Sequence, residues 1–238
     1  MQCVILAGGL GTRLGALTNA RPKALVPIHG KPFVDYQLAL LARQGVMHVV
    51  FCIGHLGEQI VAHVGAGTRF GLAVSYVEDG PRLRGTAGAL RRALEVGLLA
   101  DAFFVLYGDS FLPITYAPVF DSFRGGGWAA LMTIMRNEGR WDRSNVIYQP
   151  PRIALYDKEC DDVVRARMTH IDYGLSVLSR ALVETAIPPE ATSDLADLFH
   201  RLSLADKLGA YEVSERFYEV GSQVGIAAFA NYVAASRR

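Results

Sequence analysis

Residues Val4–Pro27 read VILAGGLGTRLGALTNARPKALVP, an apolar run that breaks into a glycine loop and then collects cations. Gln2 to Ala7 has the continuous apolar pattern of a parallel strand covered on both faces. Gly8-Gly9-Leu10-Gly11-Thr12-Arg13 follows it directly, so backbone N–H groups can converge on an anion where side chains would block approach. No Asp or Glu precedes Asp35, whereas Arg13, Arg21, Lys23 and Lys31 all do, in a chain of net charge +1. An anionic ligand is expected at this stretch.

Outward from this stretch, the 238 residues are enough for one large core. Hydrophobic residues at 51% and charged residues at 20% fit a globular enzyme, and the near-neutral balance argues against a nucleic-acid partner. Cys3, Cys52 and Cys160 show no metal-like pairing and read as reduced thiols of a cytoplasmic protein. The apolar run ending at Gly8 is too short for a signal peptide, and none approaches the roughly 20 residues that span a bilayer, so no membrane partner is expected. Six histidines lack ligand spacing, and of these His29 and His170 come nearest the loops of interest. A homo-oligomer is left open.

The pattern predicts helix over 33–43, strand over 49–53, helix over 58–64, strand over 72–77, helix over 86–99 and strand over 103–107. Alternating elements of this kind wind a parallel sheet, giving an α/β, Rossmann-like fold with a mixed, mainly parallel sheet flanked by helices. Later strands are expected at 129–135, 146–149, 153–156, 171–178 and 218–220, and helices at 194–206 and 223–235. With no linker or repeat, 1–238 reads as a single domain, with 1–110 and 111–238 as its two halves. Ligands of such sheets bind beyond the carboxyl ends of strands, which singles out the first loop and Gly108-Asp109-Ser110.

Two phosphate-loop fingerprints fail. A dinucleotide loop needs glycine where Leu14 stands and an acid ending the second strand, where Cys52-Ile53-Gly54 is found. A Walker loop needs Gly-Lys-Ser/Thr where Gly11-Thr12-Arg13 is found. The combination GGxGTRL with Pro22-Lys23 and Pro27 resembles the signature of the sugar-1-phosphate nucleotidyltransferases, which make NDP-sugars from an NTP and a sugar 1-phosphate.

That resemblance implies nucleotide binding by Leu6, Gly8, Gly9, Gly11 and Thr12, and base reading by Gly85, Thr86 and Gly88. It implies that Arg13 orients the triphosphate, that Lys23 contacts the α-phosphate, and that Asp109 and Glu219 hold Mg²⁺, Glu219 standing in for the family's usual Asp. On the acceptor side it implies Asn145, Asp157, Lys158 and Asp172, with Lys158 on the sugar phosphate. Here Asp157 replaces a Glu of the family and Asp172 replaces an Asn. The substitutions gather on the acceptor side, so standard chemistry on an unusual sugar is expected. The compact length and the Tyr-Gly-Asp-Ser loop look most like heptose- and mannose-1-phosphate guanylyltransferases, with uridylyl-, cytidylyl- and thymidylyltransferases as alternatives. The other readings to test are a catalytically silent nucleotide-sugar-binding paralogue and a sugar kinase.

Overall fold

A computed structural model of the chain describes residues 1–9, 20–80, 83–190 and 192–236. The loop residues Gly11, Thr12 and Arg13 thus lie outside the described residues. The chain is mixed α/β and divides into two compact units, Met1–Leu83 with Leu106–Pro113 and Arg216–Arg238, and Arg84–Val105 with Ile114–Glu215.

In the first unit the strands Gln2–Ala7, His48–Ile53 and Ala73–Glu78 are parallel, with His48–Ile53 in the middle. Their alignment brings Ala7, Ile53 and Glu78 level, so all three chains emerge at one edge. The central strands are buried on both faces, as continuous apolar runs require. Helices Phe33–Arg43 and Gly57–Val64 provide the crossovers. A second core lies around the last helix, Gln223–Ala235, where Phe229 meets Phe33 at 5.1 Å and Phe111 at 4.9 Å between ring centroids. Val26, Ile28, Leu40, Val220 and Val233 complete it. This cluster holds a ribbon of two short antiparallel strands, Ser110–Phe111 and Tyr218–Glu219, against the rest of the unit.

The second unit has a mixed sheet in the order His170–Ser179, Ala130–Arg136, Leu208–Val213, Arg152–Tyr156, Val146–Gln149. Leu208–Val213 runs parallel to Ala130–Arg136, while His170–Ser179 runs antiparallel to it. Helices Gly85–Glu95, Tyr116–Gly126, Arg180–Ala186 and Leu195–Leu204 accompany this sheet.

Of the described elements that were not anticipated, three are the longest. Tyr116–Gly126 is a helix with Tyr116, Val119 and Phe123 buried on one face, Pro118 being tolerated in its first turn. Arg180–Ala186 is a short helix capped by the Ser179 hydroxyl, which accepts from Leu182 N–H at 3.1 Å. Leu208–Val213 is a strand despite Gly209 and Ala210. The Trp128 indole packs over Gly209, filling what its missing side chain leaves open. The helix expected to reach residue 99 ends at Glu95, because Gly97 at φ +72° closes it with a bond from its N–H to Leu94 O.

Candidate active site

In the first unit the sheet edge delivers the pieces in sequence. Gly8 and Gly9 continue the first strand, and Lys23 sits in the one-turn helix Lys23–Leu25. Gly108 N–H donates to Leu6 O at 2.9 Å, placing the Gly108-Asp109 turn alongside the end of the first strand. Gln37, 1% exposed, donates from Nε2 to Tyr107 O at 2.9 Å and Ser110 O at 2.7 Å, pinning both sides of that turn. Asp109 Oδ2 accepts from Lys23 Nζ at 2.9 Å, each side chain about a quarter exposed.

The Tyr218–Glu219 strand pairs with Ser110–Phe111, Glu219 opposite Ser110, and Val220 N–H donates to Asp109 O at 2.9 Å. Gly221 comes next, close enough that a Cβ there would lie 3.4 Å from Asp109 Oδ2 and 3.7 Å from Lys23 Nζ. The sequence reading passed over Gly221 as a contributor to the site. The ribbon therefore sets Glu219 opposite Ser110, the neighbour of Asp109, although the two carboxylates are 110 positions apart in sequence. Among the described residues no three His, Cys, Asp or Glu side chains gather as a metal site. A two-carboxylate oxygen donor set nevertheless suits Mg²⁺, which commonly takes one or two carboxylates and completes its shell with water and substrate phosphates.

In the second unit the Gly85-Thr86 turn opens the helix Gly85–Glu95. Thr86 N–H donates to Asp194 Oδ1 at 3.1 Å, and Ala87 and Gly88 N–H both donate to Ser193 O, at 3.0 and 3.2 Å. The Thr86 hydroxyl donates to Asp194 and accepts from Leu195 N–H at 2.7 Å, so each helix start is capped by the other's side chain. Gly85 has φ +72° and a Cβ there would stand 2.5 Å from Ser193 O, which explains glycine by close approach. The first-turn donors assigned to a base are thus engaged with Ser193 and Asp194.

The acceptor-side residues also gather in the second unit. Asn145, 8% exposed, accepts from Asp172 N–H at 2.9 Å through its side chain and from Asp157 N–H at 3.0 Å through its carbonyl. Asp172 accepts from Gly174 N–H at 2.9 Å and the Tyr156 hydroxyl at 3.4 Å, and the exposed Lys158 ammonium lies over the Tyr156 ring. Asp157 folds back to accept from Glu159 N–H at 2.8 Å. His200, one of the six histidines without ligand spacing, bonds Tyr156 O at 2.7 Å through Nδ1 and lies 3.8 Å from Asp157. His29 and His170 are held elsewhere, on Ala230 O and on Glu212 with Thr169. A separate cavity of about 530 Å³ is lined by Asn137, Trp141, Arg143, Ser144, Arg165 and Met168, and includes none of the assigned acceptor residues.

Burial holds the Asp172 carboxyl above its ordinary 3.8, opposed by the Lys158 charge, the Gly174 N–H and the Tyr156 hydroxyl. A folded-state pKa raised above the unfolded one means the folded chain binds more protons between the two. Stability is therefore highest below the unfolded pKa and falls as pH rises through the raised one. Asp172→Asn keeps an oxygen for Gly174 N–H and removes the charge. It is expected to raise the thermal midpoint at neutral pH and to flatten the fall, as read by melting curves across roughly pH 4 to 8.

Residues 3–186 match a family model described as the MobA-like NTP transferase domain. The chain belongs to this family. Among curated relatives, a glucose-1-phosphate thymidylyltransferase of Streptomyces griseus is 38% identical over 113 residues, 47% of this chain and 31% of the relative. A D-glycero-alpha-D-manno-heptose 1-phosphate guanylyltransferase of Campylobacter jejuni is 34% identical over 115 residues, 48% of this chain and 50% of the relative. The match thus spans from about a third to half the length of these relatives. The NTP transferase fold extends further than the sequence identity. HddC from Yersinia pseudotuberculosis superposes with a TM-score of 0.78 at 21% identity, covering 98% of this chain and 99% of that one. A second structure of HddC, complexed with GMP-PN, gives 0.77.

Proposed function

We propose that this NTP transferase domain is a Mg²⁺-dependent sugar-1-phosphate nucleotidyltransferase, in which a sugar 1-phosphate oxygen attacks the α-phosphorus of an NTP and pyrophosphate leaves. The observation that carries the reading is the Lys23–Asp109 pair at 2.9 Å, set where parallel strands end and overlooked by Gly221. Phosphoryl transfer needs a positioned triphosphate and neutralised developing charge more than it needs a covalent partner. A cation and a carboxylate side by side supply the two kinds of contact, one for phosphate oxygens and one for a metal.

The roles follow from the chemistry. Lys23 takes the α-phosphate and Arg13 orients the β- and γ-phosphates as a forked donor. Asp109 and Glu219 would hold Mg²⁺, which would supply charge neutralisation for the leaving pyrophosphate. Leu6, Gly8, Gly9, Gly11 and Thr12 pass the triphosphate along the loop, and Gly85, Thr86 and Gly88 form a turn of small residues beside the base. Asn145, Asp157, Lys158 and Asp172 receive the sugar phosphate, Lys158 as its cation.

The preferred pair is GTP with a heptose 1-phosphate, giving a GDP-heptose for cell-surface polysaccharide. Support comes from the Campylobacter guanylyltransferase and from the GMP-PN complex of a protein of the same fold. The proposed compartment is the cytoplasm, where such small soluble substrates are made; no described helix is long and apolar enough to cross a membrane. A matrix of NTPs against sugar 1-phosphates, read by pyrophosphate release, is the test. Release that requires both substrates is expected. NTP binding without release in any combination would make the chain a silent paralogue, and NDP as product would make it a kinase.

A further inference from the structure

We propose that Arg165 is a positioning residue for the acceptor, and that it acts by setting Lys158. The inference rests on the nucleotidyltransferase reading above, with Lys158 on the sugar phosphate, and deepens it. Arg165 closes the four-residue helix Asp162–Arg165, which is capped by the Asp161 carboxylate accepting from Val164 N–H at 2.8 Å. Its own N–H donates to Asp161 O at 2.9 Å and its carbonyl accepts from Met168 N–H at 2.9 Å, so the backbone that carries it is tied on both sides.

From this base the partly buried side chain reaches main-chain oxygens of two loops. Nη1 donates to Ser144 O at 3.1 Å, and Nη2 donates to Lys158 O at 3.1 Å and to Cys160 O at 2.8 Å. One planar group thereby joins the loop that leads into Asn145 to the loop that carries Lys158. Asn145 itself accepts from Asp157 and Asp172 N–H, and Arg165 extends that net past Asp157 to Lys158 and Cys160. Among the described residues no carboxylate pairs with the guanidinium, and its Nε is buried without a hydrogen-bond partner. Arg165 therefore neutralises no acid and leaves a buried donor unused, so its contribution is geometric: a rigid fork that holds carbonyls at a fixed spacing.

The consequence falls on Lys158. Its side chain is exposed, a flexible four-carbon stem whose ammonium lies 5.8 Å from the centre of the Tyr156 ring. Holding the Lys158 carbonyl, and the Cys160 carbonyl two residues on, fixes the backbone from which that stem departs. Without the fork the ammonium ranges more widely, and an acceptor phosphate has to order it on binding. That cost raises the acceptor KM and leaves the nucleotide alone.

Arg165→Lys keeps the charge and loses the fork, because one ammonium does not hold three carbonyls of two loops at set spacing. Pyrophosphate release by the full chain is measured with Mg²⁺, with GTP, UTP or dTTP, and with heptose, mannose or glucose 1-phosphate, the pair the wild type turns over fastest being carried to the variants. Arg165→Lys is expected to raise the acceptor KM about tenfold and to move the NTP KM by less than about twofold. Made in a Lys158→Met background, the same substitution is expected to add less than about twofold, because the group it positions is gone. A lower maximal rate with both KM values unchanged would mean a smaller folded fraction only, and overturns the proposal. So does a tenfold rise that persists in the Lys158→Met background, or a rise in the NTP KM of equal size. Loss of the folded state in both Arg165→Lys and Arg165→Gln, read by melting curves, makes Arg165 a residue of the fold and also overturns it. Each of these leaves the nucleotidyltransferase reading standing, whereas a wild-type chain silent with every pair overturns both.

Discussion

Asp109→Asn is expected to abolish Mg²⁺-dependent pyrophosphate release, by at least about 10³-fold in kcat, with little loss of stability. The substitution is nearly isosteric, and the backbone carbonyl that accepts from Val220 N–H is untouched. What disappears is the negative charge beside Lys23 at 2.9 Å. Both partners are partly exposed, and such ion pairs contribute about 0–1 kcal/mol, so the denaturation midpoint moves little. The loss in turnover has two sources under the proposed mechanism. A neutral amide is a poor Mg²⁺ ligand, and Lys23 loses the neighbour that aims it. Steady-state rates with Mg²⁺ varied, beside a melting curve, separate turnover from folding. Near-normal kcat at saturating Mg²⁺ would remove Asp109 from the metal site.

Lys158→Met carries the second large effect, on the acceptor rather than the nucleotide. Lys158 is exposed, places its ammonium over the Tyr156 ring and biases Asp172 electrostatically. Methionine keeps most of the stem's apolar reach and removes the ammonium. A hydrogen bond to a charged group contributes about 1.5–3 kcal/mol, so the sugar 1-phosphate KM should rise about 10- to 100-fold while the NTP KM stays within about twofold. Initial rates over a grid of both substrates give the two constants. A rise in the NTP KM with the acceptor KM unchanged would move Lys158 to the nucleotide.

Where structure follows from local pattern, it could be read from the sequence. Gln2–Ala7, Phe33–Arg43, Val146–Gln149 and Gln223–Ala235 form over the residues their periodicity marks, since each has an unbroken apolar pattern and a clear stop. Leu208–Val213 could not be read, because its Gly209 has meaning only once Trp128 lies over it. The site shows the same division. Lys23 and Asp109 belong to recognisable motifs, and they meet. Thr86 also belongs to one, yet its hydroxyl is taken by Asp194, 108 residues away, a partner that no local spacing announces.

The ribbon that pairs Ser110–Phe111 with Tyr218–Glu219 bears on how the protein is made. The first unit is written in three separate passages of the chain, and its last passage begins at Arg216. Synthesis runs at about 5–20 residues per second, so Lys23 and Asp109 leave the ribosome several seconds before Glu219, Gly221 and Phe229 exist to join them. During that interval Phe33 and Phe111 lack their ring partner, and the sheet edge has no ribbon. The second unit, closed by Glu215, is complete first. The proposed metal site thus comes together only after the second unit has been synthesised, and a nascent chain stalled before Tyr218 would hold the nucleotide loop's sequence without Glu219 to complete it.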